Sequence, residues 1–351
     1  MPHPVIEVEG HEPLRAGACR VIAEAGANHN NSVERAIEMA RRAVEAGAWA
    51  VKYQLYKADS ISVRDSPKYW SDEIGTDSQF QAFEKSDKLD YDEYGEVAAA
   101  CRELGIAFFA TPFDLPAVEA MEQMRCPIYK VASGDLTHKP LLEAVAATGK
   151  PVLLSTGAAT LPEVREAIEW TGLGPDKLCL LACTLTYPTP DEDANFARVP
   201  ELQRELEPYL VGTSDHTLGA AGAWMSAALG GVCVEKHYTL DKTLGDVPDH
   251  AMSVDPPELA EMVQAADRAS ILLGDPWIGV RESEQPARAM ARRSVVLERD
   301  VPAGQPLAQA DLGFKRPGTG LAPATAPAIV GRTLRADGAR GLVLTEEHLE
   351  P

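Results

Sequence analysis

Two hydrophobic rhythms alternate along the chain. Short, nearly continuous β-rich runs predict eight strands. They are CRVIAEA (Cys19–Ala25), WAVKYQL (Trp49–Leu55), IAFFAT (Ile106–Thr111), IYKVAS (Ile128–Ser133), PVLLST (Pro151–Thr156), LCLLAC (Leu178–Cys183), YLVGTS (Tyr209–Ser214) and VCVEKH (Val232–His237). Between them, apolar positions step by three and four. Val33, Ile37, Ala40 and Val44 mark one helix, with Ser32 as N-cap and Gly47 just past its end. Val164 and Ile168 repeat the step behind Leu161-Pro162, and a last helix is expected from about Pro257 to Leu273. Eight strand–helix units in succession predict a (β/α)₈ TIM barrel, for which about 250 residues is typical. An open doubly wound sheet is the alternative, but EAGANHNNS, after the first strand, lacks the Gly-rich dinucleotide turn.

Two stretches break the rhythm. The connection from Tyr56 to Tyr91 is far longer than ordinary loops, which makes it either a lid over a site or a surface excursion. After Gly274 the pattern changes to a polar segment, RESEQPARAMARR, and then to short strands punctuated by Pro and Gly. The expected division is a barrel over residues 1–280, a linker over 281–293 and a small β-rich domain over 294–351. A domain that small is marginal alone and gains from docking.

Composition narrows the function. The 351 residues carry a net charge of −20, which argues against nucleic acid and anionic lipid as partners. It leaves a small anion possible, because local cations can reverse the sign inside a cleft. Six cysteines without a CxxC pair read as reduced, buried thiols. No signal peptide is visible, and the apolar stretch Ala220–Val234 is too short to span a membrane. The expected location is the cytoplasm.

In a parallel barrel the residues at the C-terminal strand ends form the active site. Here those ends carry Glu24, Lys52, Gln54, Thr111, Lys130, Ser133, Asp135, Ser155, Tyr187, Ser214, Asp215, His216, Glu235, Lys236 and His237. His216 and His237 end neighbouring strands, and two imidazoles suit Mn²⁺, Fe²⁺, Co²⁺ or Zn²⁺, with substrate and water completing the shell. Lys52 and Lys130, with the hydroxyls of Thr111, Ser133, Ser155 and Ser214, predict a cradle for phosphate or carboxylate. Two alternatives stay open: each lysine pairs with a carboxylate, or one of them forms a Schiff base.

Taken together, VIAEAGANHNNS, AWAVKYQ, FFATPFD, YKVASGDLTHKPLL, GKPVLLSTG, ACTLTYPTP, VGTSDHT, VEKHYTLDKT and PDHAMSVDP resemble the sialic acid synthase family. The tail, with RRSVVL, VPAGQPL and FKRPGTGL, resembles the antifreeze-like SAF domain that ends those enzymes. The resemblance implies condensation of phosphoenolpyruvate with an open-chain N-acetylated hexosamine, N-acetylmannosamine first, to give a nine-carbon 2-keto acid and phosphate. The rival sugars are 2,4-diacetamido-dideoxy hexoses, which lead to legionaminate or pseudaminate. It assigns phosphoenolpyruvate binding to Lys52, Thr111, Lys130, Ser133, Ser155 and Ser214. His216 and His237 become ligands of a divalent metal, Mn²⁺ first, with Mg²⁺, Co²⁺ and Fe²⁺ as alternatives. Glu24, Gln54, Tyr187 and Asp249 would line the sugar, with Glu24 and then Asp249 managing protons. Arg316 would reach into a partner's site in a domain-swapped homodimer. Four positions depart from the family pattern: Leu185, Asn31, His138 and Thr319.

Overall fold

The structure is a computed structural model, and it describes residues 4–70, 75–244 and 247–351. The chain divides into two compact units, one ending at Gly274 and one running from Asp275 to Pro351.

The first unit opens with an antiparallel hairpin, β1 (Val5–Val8) and β2 (His11–Arg15). Eight further strands form one parallel sheet: β3 (Arg20–Gly26), β4 (Ala50–Leu55), β5 (Ala107–Pro112), β6 (Tyr129–Val131), β7 (Val152–Ser155), β8 (Leu178–Cys183), β9 (Leu210–Asp215) and β10 (Cys233–His237). Their spatial order is β5-β4-β3-β10-β9-β8-β7-β6, so the first barrel strand lies beside the last. Among the described residues no ladder joins β5 to β6, although the two lie side by side. The expected barrel is therefore present and nearly closed. Its strands lie within one or two residues of the predicted runs, except that IYKVAS shortens to three residues.

The shell helices are α1 (Val33–Glu45), α2 (Ala58–Ile61), α3 (Gln79–Ser86), α4 (Tyr91–Leu104), α5 (Leu115–Gln123), α6 (Lys139–Ala147), α7 (Leu161–Thr171), α8 (Arg198–Glu205), α9 (Ala221–Ala228) and α10 (Pro256–Leu273). Their ends follow local chemistry. The Ser32 hydroxyl accepts from Arg35 N at 3.1 Å, and Asp255 with Glu258 closes a reciprocal cap on α10. Pro162 stands at the start of α7 and Gly172 closes it with a left-handed residue.

Two features exceed the sequence reading. The hairpin places Ile6, Val8 and Leu14 in the barrel's own core, and Trp49 Nε1 donates to Glu12 O at 2.9 Å. The long connection after β4 is partly helical, since it contains α2 and α3.

The second unit has a separate core built on Val295, Leu297, Leu307, Ile329, Leu334 and Leu344. It contains α11 (Gln285–Ala291), the antiparallel pair β11 (Ser294–Leu297) and β12 (Leu312–Lys315), and α12 (Ala326–Ile329). The segment expected as a linker thus carries a helix, and this unit starts at Asp275 rather than beyond residue 280. No helix among the described residues is long and apolar enough to cross a membrane.

Candidate active site

Side chains on a strand alternate between its two faces, and β9 and β10 use that alternation three times in a row. Ser214 pairs with Glu235, and Asp215 with Lys236. His216 and His237 follow one position further on. The first and third pairs face the barrel interior; the second turns outward to the helices. The charged cluster that ends β10 is therefore divided. Glu235 and His237 belong to the interior. Lys236 does not, while Lys242 pairs with Glu258 on the shell.

Lys52 is the hub of the interior group. Its Nζ lies 2.8 Å from Glu24 Oε2, 2.8 Å from Thr111 Oγ1 and 3.8 Å from Glu235 Oε2. Lys130 Nζ lies 3.7 Å from Glu235 Oε1, which also accepts from the Ser214 hydroxyl at 3.0 Å. All these groups are buried. Burial works against the charge of Glu235, yet Lys130 and Lys52 outweigh it and hold the carboxyl well below the usual range. Glu24 moves the other way: burial raises its pKa, and neighbouring Glu235 adds to the rise against Lys52. Two carboxylates pushed apart in this way divide naturally into a fixed charge and a proton carrier. Burial also lowers Lys130.

The lysines therefore do pair with carboxylates. The rise at Glu24 favours its neutral form and so lessens the negative charge facing the two ammonium groups, which suits an anion. Ser155 supplies a further observation: its hydroxyl is fully buried and has no hydrogen-bond partner among the described residues. Ser133 Oγ accepts from Gly157 N at 3.0 Å. A Cβ on Gly157 would lie 2.7 Å from that oxygen and 3.1 Å from Cys183 Sγ, so only glycine allows this approach.

The rings of His216 and His237 lie 5.4 Å apart, centroid to centroid, at 54°. The Nδ1 of His216 donates to the carbonyl of Thr184 at 3.0 Å, so in the neutral ring Nε2 is the nitrogen that carries the lone pair. His237 Nδ1 lies 3.3 Å from Asp249 Oδ2. Among the described residues no group of three or more His, Cys, Asp or Glu side chains has metal-binding geometry. The two imidazoles fit a divalent cation that takes its remaining ligands from substrate and water. Tyr187 stacks near this pair, 4.3 Å from the His216 ring and 5.9 Å from that of His237.

Beside them opens a cavity of about 450 Å³. Its polar groups include Gln54, Ser133, Asp135, His237 and Asp249; its walls are Tyr56, Tyr69, Trp70, Phe83, Phe113, Leu185, Tyr187 and Leu218. Gln54 Nε2 donates to Glu24 Oε1 at 3.0 Å, which ties the cavity to the lysine group. Burial raises Asp135 to about 6, and His138 Nδ1 stands 3.8 Å from it. The long connection after β4 thus supplies wall residues, with Tyr69 centred 6.4 Å from Tyr187.

The remaining departures have local accounts. Asn30 and Asn31 adopt left-handed φ values of 50° and 57°, which asparagine tolerates. Beside Leu185, the Thr184 hydroxyl donates to Asp193 O at 2.9 Å. Thr319 and Arg316 are exposed in the second unit, and Arg316 has no hydrogen bond or ion pair among the described residues.

Two residues take part in the site beyond any role the sequence assigns them. Glu235 was visible by alternation with His237, but its role needs both lysines in place. Cys183 was read as core because a thiol patterns as apolar. Its Sγ lies 3.9 Å from His216 Nδ1, and although burial raises a thiol, His216 and its other neighbours bring Cys183 below its ordinary value. By contrast Cys101 and Cys126 are pushed up to about 12 by burial.

A family model described as the NeuB family matches residues 39–277, and one described as the SAF domain matches residues 292–350. The chain belongs to the NeuB family. This NeuB chain is 35% identical over 352 residues to the N,N'-diacetyllegionaminic acid synthase of Legionella pneumophila, covering 98% of each chain. It is 31% identical to the N-acetylneuraminate-9-phosphate synthase of Mus musculus, over 82% of this chain and 80% of that one. Its structure is similar to the crystal structure of an N-acetylneuraminic acid synthetase from Leptospira borgpetersenii, with a TM-score of 0.71 and 29% identity. That match covers 81% of this chain and 96% of the other. The NeuB assignment makes the chain a transferase of the acid-synthase type on a (β/α)₈ barrel with a C-terminal SAF domain.

Proposed function

We propose that this chain is a nonulosonic acid synthase that joins phosphoenolpyruvate to the aldehyde of an N-acetylated amino sugar. The observation that carries the reading is the meeting of two arrangements in one hollow. The His216–His237 pair stands beside the Lys52–Lys130 seat with its unpartnered Ser155 hydroxyl. In the reaction C3 of phosphoenolpyruvate bonds to the aldehyde carbon, water adds at C2, and the C2–O bond breaks to release phosphate.

The chain's own groups divide this work. Lys52 and Lys130, with Thr111, Ser133, Ser155 and Ser214, hold the phosphate and carboxylate in a site shielded from water. Gln54, Asp135, Tyr187 and Asp249 orient the open-chain sugar so that its aldehyde faces the enol carbon. Glu24 Oε2 holds or moves a proton beside Lys52. A divalent cation held by His216 and His237, Mn²⁺ by preference, supplies a Lewis acid for the aldehyde oxygen.

Between candidate sugars, the cavity favours a less hydroxylated one. Exchanging a hydroxyl for acetamido or methyl adds apolar surface, and six aromatic side chains and two leucines stand ready to cover it. The Legionella relative's name supports the same choice, a 2,4-diacetamido-dideoxy hexose over N-acetylmannosamine. The experiment is phosphate release from phosphoenolpyruvate with each sugar in turn, with Mn²⁺. Release with neither sugar would sink the reading, and release with N-acetylmannosamine alone would reverse the choice. Trapping of Lys130 by borohydride would favour a Schiff-base aldolase instead.

The working form is a cytoplasmic homodimer in which Arg316 serves the partner's site. Trp224 and Met225 on α9 and Ile271, Leu272 and Leu273 on the adjoining α10 are exposed apolar side chains of the kind a second copy covers.

A further inference from the structure

The outward pair between the two interior ones has no place in the chemistry just described. Lys236 is fully buried, and its Nζ lies 2.8 Å from Asp215 Oδ2. It also donates to the carbonyl of Thr217 and lies 3.5 Å from that residue's hydroxyl. Asp215 Oδ1 accepts from Thr217 N at 2.9 Å and from Thr217 Oγ1 at 2.8 Å. The carboxylate thus closes a turn over His216, and Lys236 binds both ends of that turn while sitting one residue before His237.

The site is built for this carboxylate. A Cβ on Gly222 would stand 2.0 Å from Asp215 Oδ2 and 2.6 Å from its Cγ, so the glycine at the start of α9 makes the room it occupies. Burying an ion pair is a poor way to gain stability, because apolar side chains of the same volume do as well without desolvating two charges. What it provides is geometry: each proton of Lys236 and each oxygen of Asp215 fixes a direction.

We propose that Lys236 and Asp215 are positioning residues whose buried pair, closed through Thr217, sets the separation and orientation of His216 and His237. This rests on reading those imidazoles as cation ligands. The pair touches neither substrate nor cation; it acts from behind the strands, as groups outside a metal's ligands commonly do.

The test uses the full-length protein and Mn²⁺ alone as probe, with calorimetric titration of Mn²⁺ and, separately, of phosphoenolpyruvate in metal-free protein. Lys236→Met and Gly222→Ala should each weaken Mn²⁺ binding by about tenfold or more and leave phosphoenolpyruvate affinity within about twofold. Lys236→Arg should recover part of the loss. A Lys236→Met protein with native circular dichroism that binds Mn²⁺ as the parent does would overturn the proposal. So would a parallel loss of both affinities, which is what a merely structural pair produces. Should Lys236→Met fail to fold, Gly222→Ala, which crowds chiefly the carboxylate and less closely the Phe196 ring, decides by the same criteria. A parent protein without affinity for Mn²⁺, Co²⁺ or Fe²⁺ would remove the cation reading, and this inference with it.

Discussion

The Glu24 carboxylate sits 2.8 Å from the Lys52 ammonium, and burial still raises its pKa. An acid whose neutral form burial favours beside a lysine can carry a proton during turnover; a glutamine of the same shape cannot. Glu24→Gln should lower kcat by about a hundredfold or more while KM for phosphoenolpyruvate changes by less than about threefold. A steady-state phosphate-release assay reads both numbers. An unchanged kcat would leave Glu24 a structural partner of Lys52.

Ser155 offers a separation of stability from binding. Its hydroxyl is buried and has no partner among the described residues, so the folded protein already bears the cost of desolvating it. Ser155→Ala should leave thermal stability equal or slightly higher. It should raise KM for phosphoenolpyruvate about tenfold, the worth of one hydrogen bond to a charged group. A large drop in melting temperature would mean that the hydroxyl has a partner in the folded state.

Removal of the cation tests the histidine pair. EDTA should abolish turnover, Mn²⁺ should restore it, and His216→Ala should not be restorable. Undiminished activity in EDTA would contradict a metal role for the two rings 5.4 Å apart.

The Asp135 carboxyl gives a pH signature. Its ordinary pKa is 3.8, and burial, opposed by His138 and Lys130, raises it to about 6. Below about pH 6 it is neutral, so Asp135→Asn should share the parent's KM for the sugar at pH 5 and differ from it at pH 8. A raised acid also favours the folded state only while protonated. The parent should therefore lose stability relative to the Asn variant as pH rises from about 4 to about 6, then hold a constant gap. A KM difference of equal size at both pH values would reject the assignment.

Arg316 tests the assembly. Exposed and without an ion pair or hydrogen bond among the described residues, it should contribute to a neighbour's site. Arg316→Ala should reduce turnover and leave a dimer intact by light scattering. A fully active monomer would contradict the exchange.

Much of the fold was legible because its signals are local. The strand runs, the Ser32 and Asp255 caps, Pro162 and the Gly172 stop each act over a few residues, so they read directly from order. The rim positions were legible too, since a parallel barrel assigns chemistry to strand ends. The hairpin at residues 5–15 was not, because VIEV and HEPLR are short and interrupted, and only the barrel core makes Ile6 and Leu14 interior. The helices inside the connection after β4 were hidden for a similar reason: an eight-residue helix such as α3 is too short to declare itself by periodicity.

By itself, then, the sequence determined an eightfold strand–helix alternation, a ring of polar groups at the strand ends, and a distinct tail. Tertiary structure alone decided what those groups are to one another. Glu24 meets Lys52 and Glu235 across three strands, and whether each carboxyl is charged depends on how completely the neighbours exclude water and which ammonium arrives. Lys236 and His237 are adjacent in the chain, yet one faces the helices and the other the hollow. Periodicity is a property of neighbouring residues, whereas desolvation and Coulomb attraction belong to whatever packing brings near, here from residues as far apart as Glu24 and Glu235.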